Sequence, residues 1–138
     1  MHVRETVLHS NMESKKIAVI GGGAAGFFAA LSVKEHHPNH EVVLFEKTSK
    51  VLSKVKVSGG GRCNVTNACT SISELVSAYP RGAKQLKKLF GKFNNHHMME
   101  WLKSRGIDLK VYPDNCVFPE ANDSQVIIDL FLAECKRL

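Results

Sequence analysis

No apolar run in this 138-residue chain approaches the roughly 20 residues needed to cross a bilayer, and no secretory leader pattern opens it. A membrane partner is therefore not expected. Cysteine is sparse and unpatterned. Cys63, Cys69, Cys116 and Cys135 form no C-x-x-C pair and no zinc spacing, which removes a zinc-built fold. Without a leader, reduced thiols in a cytoplasmic setting are the expectation. Histidine does not fill the gap. His36, His37 and His40 crowd a helix end, and His96 and His97 are neighbours on one helix that do not readily face one metal. No metal is expected, and no side chain stands out as a general acid or base.

The chain does carry positive charge, with a formal net value of +6. That balance favours anionic partners. The basic residues concentrate in Arg81–Phe93, where Leu86, Leu89, Phe90 and Phe93 share one helical face and Lys84, Lys87 and Lys88 lie on others. This reads as an amphipathic helix with a solvated basic side, and nucleic acid is not expected as a partner.

Glycine is placed rather than scattered. Ile17–Ile20 is a short apolar strand that runs into Gly21, Gly23 and Gly26, the G-x-G-x-x-G spacing, and then into an apolar helix starting near Ala24 and Ala25. Val42–Phe45 forms a second apolar strand, and Glu46 stands at its end, twenty positions after Gly26, followed by Lys47. Strand, glycine turn, helix, strand and acid in that order predict a βαβ unit that holds the pyrophosphate of a dinucleotide. Gly21 permits the turn, Gly23 lets the pyrophosphate approach, and Gly26 lets the helix pack closely. The helix N-terminus offers its free N–H groups to the phosphates. Glu46 suits ribose hydroxyls and repels a 2′-phosphate, so FAD or NAD fits this site better than NADP.

A second glycine cluster follows at Ser58-Gly59-Gly60-Gly61-Arg62-Cys63-Asn64, continuing to Asn67. Neither helix nor strand preference explains three consecutive glycines. Arg62 can pair with phosphate or stack on a ring, and Asn64, Thr66 and Asn67 offer donors and acceptors. Taken alone this is a polar loop. After a dinucleotide fingerprint it reads as a second cofactor-contacting loop.

The rest of the chain predicts helices over about 72–79, 83–93 and 96–105, the last closed by Gly106 at C′. A hairpin over 107–112 and 116–118 and a final helix from about Asp123 follow. The apolar helix after Gly23 is expected to be largely buried. The chain stops inside its last helix with no further parallel strand, which predicts the N-terminal portion of a longer protein and an incomplete domain. Residues 1–14 are expected to be a poorly ordered extension, and 15–138 the domain proper.

On Ile17–Gly26, Val42–Lys47 and Ser58–Asn67 together, the chain resembles the aminoacetone-oxidase-like, BaiN/YhiN-type bacterial FAD-dependent oxidoreductases. The resemblance runs through Val117-Phe118-Pro119 to the final helix. It implies an α/β, Rossmann-like FAD-binding domain of the glutathione-reductase type. It also implies FAD at the 21–26 turn and at 58–64, a small-molecule substrate, and NAD(P)H as a candidate reductant. That pattern usually has a glycine and a basic residue where this chain has Leu52 and Ser53, and Gly-Arg where it has Asn115 and Cys116. Two other readings remain open at this stage. One is a flavin disulfide oxidoreductase using Cys63 and Cys69. The other is a non-catalytic, truncated dinucleotide-binding remnant.

Overall fold

The computed structural model describes residues 13–138; the extension expected at 1–14 falls mostly outside them. Strand β1 (Lys16–Ile20), helix α1 (Ala24–His36) and strand β2 (Glu41–Phe45) form the expected βαβ unit. The strands pair in parallel with Ala18 opposite Val43. Pro38, two residues past α1, stops the helix as a proline must.

Alternation decides what the sheet covers. Ile17, Val19, Val42 and Leu44 turn toward α1, while Ile20, Val43 and Phe45 stand 80%, 40% and 52% exposed on the other face. With only two strands, the sheet also covers only part of α1. Phe27, Ala30 and Leu31 are buried, whereas Ala24, Ala25 and Ala29 are exposed. The helix is less buried than its composition predicts, because burial needs a neighbour on each apolar side.

Past β2 lie helix α2 (Ser53–Val57), a 3₁₀ turn at Ser58–Gly61 and a two-residue strand, β3 (Thr66–Asn67). Helices α3 (Ile72–Ser77), α4 (Ala83–Phe90) and α5 (Asn95–Lys103) follow. Strands β4 (Leu109–Val111) and β5 (Cys116–Pro119) form the predicted hairpin, and helix α6 (Gln125–Arg137) ends the order. β5 pairs antiparallel with both β3 and β4, so the 64–67 loop is stitched to the hairpin. The periodicity reading missed β3 because two residues carry no alternation.

Caps set several boundaries. Ser71 Oγ accepts the Glu74 N–H at the start of α3 (3.1 Å), without a reciprocal bond from the Glu74 carboxylate. Gly106, at φ +78°, closes α5. Its N–H reaches Lys103 O and that of Ile107 reaches Leu102 O, the paired bonds of a left-handed C-terminal cap.

The core lies where α1, α2, α5 and α6 meet, around Phe27, Leu31, Leu52, Leu102, Ile127 and Phe131. Arg105 ties three helices at its edge. Its guanidinium pairs with Glu35 of α1 and, at 3.1 Å, with Glu134 of α6, and it lies 4.0 Å over the Trp101 ring. These side chains are 12–23% exposed. Two carboxylates sharing one planar, fork-shaped cation is an arrangement that arginine satisfies and lysine does not.

Candidate cofactor cleft

The first glycine turn is built by sterics. Gly21 sits at φ +105°, and its N–H donates to Phe45 O at 2.7 Å, which locks the turn to the end of β2. A Cβ on Gly26 would stand 1.9 Å from Gly21 O, so the helix passes the turn with no room for a side chain. Gly22, which the spacing rule leaves unspecified, is also constrained, though by side chains. A Cβ there would lie 2.9 Å from Val51 Cγ1 and 3.0 Å from Glu46 Cβ. Gly23 differs from these, because a Cβ on it would meet nothing within 4 Å. Its backbone borders open space, as a close-approach position requires.

Gly23 is the N-cap of α1, and no side chain caps this end. The first helical bond runs from Phe27 N–H to Gly23 O, which leaves the N–H groups of Ala24, Ala25 and Gly26 without helical partners. No carboxylate lies in the first turn. The positive end of the helix therefore meets no carboxylate from its own first turn.

Glu46 lies beside this turn. Its Oε2 accepts the Gly22 N–H at 2.8 Å, and its Oε1 accepts the N–H and hydroxyl of Thr48. The Gly22 bond first, then those from Thr48, hold its carboxyl below the ordinary carboxylate range. A carboxylate has about four acceptor positions, so these bonds orient Glu46 and leave capacity for ribose hydroxyls. Lys47 is exposed, with its side chain among none of the described hydrogen bonds or ion pairs.

The second glycine cluster comes to the same place. Leu52 N–H donates to Gly22 O at 2.7 Å, which leads the chain from the first turn into α2. Gly59, Gly60 and Gly61 all have positive φ, at +56°, +69° and +88°, so three successive left-handed residues account for the triple glycine. The space at Gly59 is taken by Phe118, 2.7 Å from a built Cβ, whereas that at Gly60 is open. Cys63 N–H then donates to Ser58 O, and Cys63 itself takes a left-handed backbone at φ +63°.

Ala24 and Ala25 of α1, Lys54 of α2, Ser58, Cys63 and Asn64 border one cleft of about 450 Å³. Its floor is apolar, from Phe28, Val55, Ile127 and Phe131. The start of the dinucleotide helix and the 58–64 loop thus face each other across one groove, with Lys54 as its cation. The sequence reading missed Lys54 and the floor residues, since nothing in local spacing marks a groove assembled from four helices.

Of the predicted residues, Ala24, Ala25, Ser58, Cys63 and Asn64 line this cleft, whereas Gly21, Gly23, Gly26, Glu46, Lys47, Gly59, Gly60 and Gly61 are not among its lining residues. Arg62 turns away. Its guanidinium lies 4.4 Å over the Phe118 ring, and its Nε donates to Gly59 O, so it stacks on the hairpin instead of lining the cleft. Cys63 and Cys69 are both free thiols. Cys63 lines this cleft, and Cys69 lines a separate cavity, where Asn95 donates to its carbonyl. The two thiols thus face different cavities, and burial pushes both of them up.

The two departures from the resembled pattern coincide with left-handed backbone. Leu52 has φ +56° and Asn115 has φ +62°. Asparagine tolerates that region, while a buried leucine carries strain of about 1–2 kcal/mol there. Leu52 is 1% exposed, so its packing offsets the strain.

Among the described residues no helix is long and apolar enough to cross a membrane, and no three His, Cys, Asp or Glu side chains are grouped to hold a metal ion. The 3-dehydro-bile acid delta(4,6)-reductase of Clostridium scindens is 27% identical over 122 residues, covering 88% of this chain and 29% of that protein. The ribosomal RNA dihydrouridine synthase of Escherichia coli is 28% identical over 126 residues, covering 91% and 30%. The bilirubin reductase of Mediterraneibacter gnavus is 37% identical over 87 residues, covering 62% and 12%. The chain spans under a third of the length of each of these relatives. Residues 15–138 match the family described as HI0933-like protein Rossmann domain, and the chain belongs to that family.

Proposed function

We propose that this chain is the N-terminal, FAD-binding portion of a flavin-dependent reductase. The observation that carries the reading is the shared groove, where an uncapped helix N-terminus and Lys54 face the 58–64 loop over an apolar floor. These residues fit FAD. Open space at Gly23 and the free N–H groups of Ala24–Gly26 suit a pyrophosphate. Glu46 suits the adenosine ribose, and Ser58, Cys63 and Asn64 suit the flavin side. When bound, FAD supplies hydride transfer, and the protein supplies position and electrostatics.

The relatives' names support a substrate class. A bile acid delta(4,6)-reductase and a bilirubin reductase are both named for the reduction of a small molecule. A conjugated, electron-poor double bond in a small molecule is the proposed substrate, and NAD(P)H the proposed reductant. Free thiols at all four cysteines suit a cytoplasmic location.

Titration of the purified protein into FAD, followed by flavin fluorescence, tests the binding claim. Saturable binding that ADP displaces and riboflavin does not is the expected result. Affinity should stay level from about pH 8 to 5 and fall below about pH 4. Glu46 has a depressed pKa, so its ionised contribution is complete above the ordinary carboxylate value and disappears as pH drops through the lowered one. Absence of saturable binding would leave the non-catalytic remnant as the better description.

A further inference from the structure

We propose that Ser124 is the positioning residue for the 58–64 wall of the FAD groove, a role that rests on the FAD reading and deepens it. Ser124 is fully buried, at 0% exposure, yet it does not line the cleft. A polar side chain shut away from water must be bonded within the protein. Ser124 spends both of its donors on the glycine loop. Its hydroxyl donates to Lys56 O at 2.9 Å, and its N–H donates to Gly61 O at 2.8 Å. One carbonyl stands before the Ser58–Gly61 turn and the other at its end.

Two neighbouring contacts join the same segments. Lys56 Nζ reaches Gln125 Oε1 at 3.0 Å, and Phe118 of β5 occupies the space beside Gly59. Between Phe118 and Ser124 the chain turns at Asn122, which has φ +56° and donates its N–H to Pro119 O at 2.9 Å. The link from β5 to α6 therefore grips the glycine loop at both ends.

That grip has a consequence for the cleft. Ser58 and Cys63, which line it, flank the three glycines, so the shape of the glycine turn decides where these two stand. Glycine has the most backbone freedom to lose, and a run of three keeps one shape only where its ends are fixed from outside. A wall held in its binding shape beforehand avoids the cost of ordering on ligand arrival. The helix that Ser124 begins also carries Ile127 and Phe131 of the cleft floor, so one helix start sets the wall relative to the floor.

FAD and ADP titrations of the native protein and of Ser124→Ala test the assignment, since ADP reaches the 21–26 wall and lacks the flavin. The variant loses the hydroxyl bond and keeps the backbone one. Its FAD affinity should fall about tenfold, while its ADP affinity stays within about twofold of native. Ile128→Val trims a buried side chain of the same helix that is not part of the cleft lining, and should leave the ratio of the two affinities unchanged. Hydrogen exchange of the native protein gives a readout independent of any variant. Saturating FAD should slow exchange at 58–63 and at 124–128 together, and ADP should slow neither. A native FAD-to-ADP ratio in Ser124→Ala, or an equal drop in both affinities, would overturn the proposal. So would protection at 58–63 that leaves 124–128 unchanged. Absence of FAD binding by the native protein is a separate result, which removes the FAD reading and this assignment with it.

Discussion

Gly26→Ala should destabilise the protein by about 3 kcal/mol, the upper end of ordinary overpacking, and lower its thermal midpoint by roughly 10 °C. The added methyl would stand 1.9 Å from Gly21 O, a backbone atom held in place from both sides. Gly21 cannot give way, since its N–H is bonded to Phe45 O and its φ of +105° defines the turn. The helix must therefore shift as a body, and that shift opens the core around Phe27 and Leu31. Total stabilities are only about 5–15 kcal/mol, so a loss of this size is readily seen in urea unfolding. Gly23→Ala is the matched control. Its Cβ meets nothing within 4 Å, and its φ of −90° suits any residue. Equal stability of the two variants would mean that the turn is looser than described.

Gly23→Asp should do the reverse, keeping the fold and losing the ligand. Aspartate is a better N-cap than glycine by a few tenths of a kcal/mol, and its charge is favoured by the helix dipole. Its backbone needs no strain at ψ −178°. Yet the carboxylate would fill the open space beside the uncapped N–H groups and meet the pyrophosphate as a like charge. FAD affinity should fall at least a hundredfold, about 3 kcal/mol, while the thermal midpoint without FAD holds or rises. Native-like FAD affinity in this variant would place the pyrophosphate elsewhere.

These two glycines show what was legible in the sequence. The β1–α1–β2 unit could be read because its signals are local: two apolar strands, a turn that only glycine permits, and an acid at the second strand's end. The roles of Gly21 and Gly26 follow from the same spacing. The spacing leaves out Gly22, whose constraint comes from Val51 and Glu46, residues more than twenty positions away. The triple glycine was recognised as special, but its cause is three left-handed residues in a row, which composition cannot separate from close approach to a ligand. Arg62 could go to a phosphate or a ring, and only the β3–β5 pairing, which brings Phe118 beneath it, decides for the ring. The burial of α1 was overestimated for a related reason. Periodicity says which face is apolar, and the number of neighbouring elements says whether anything covers it.

The central claim is that the 21–26 turn and the 58–64 loop form two walls of one FAD groove. Hydrogen exchange read by mass spectrometry, with and without saturating FAD, tests it most directly. Slowed amide exchange in both segments at once, with α4 unchanged, is the predicted result. Protection confined to one segment, or absent from both, would contradict it.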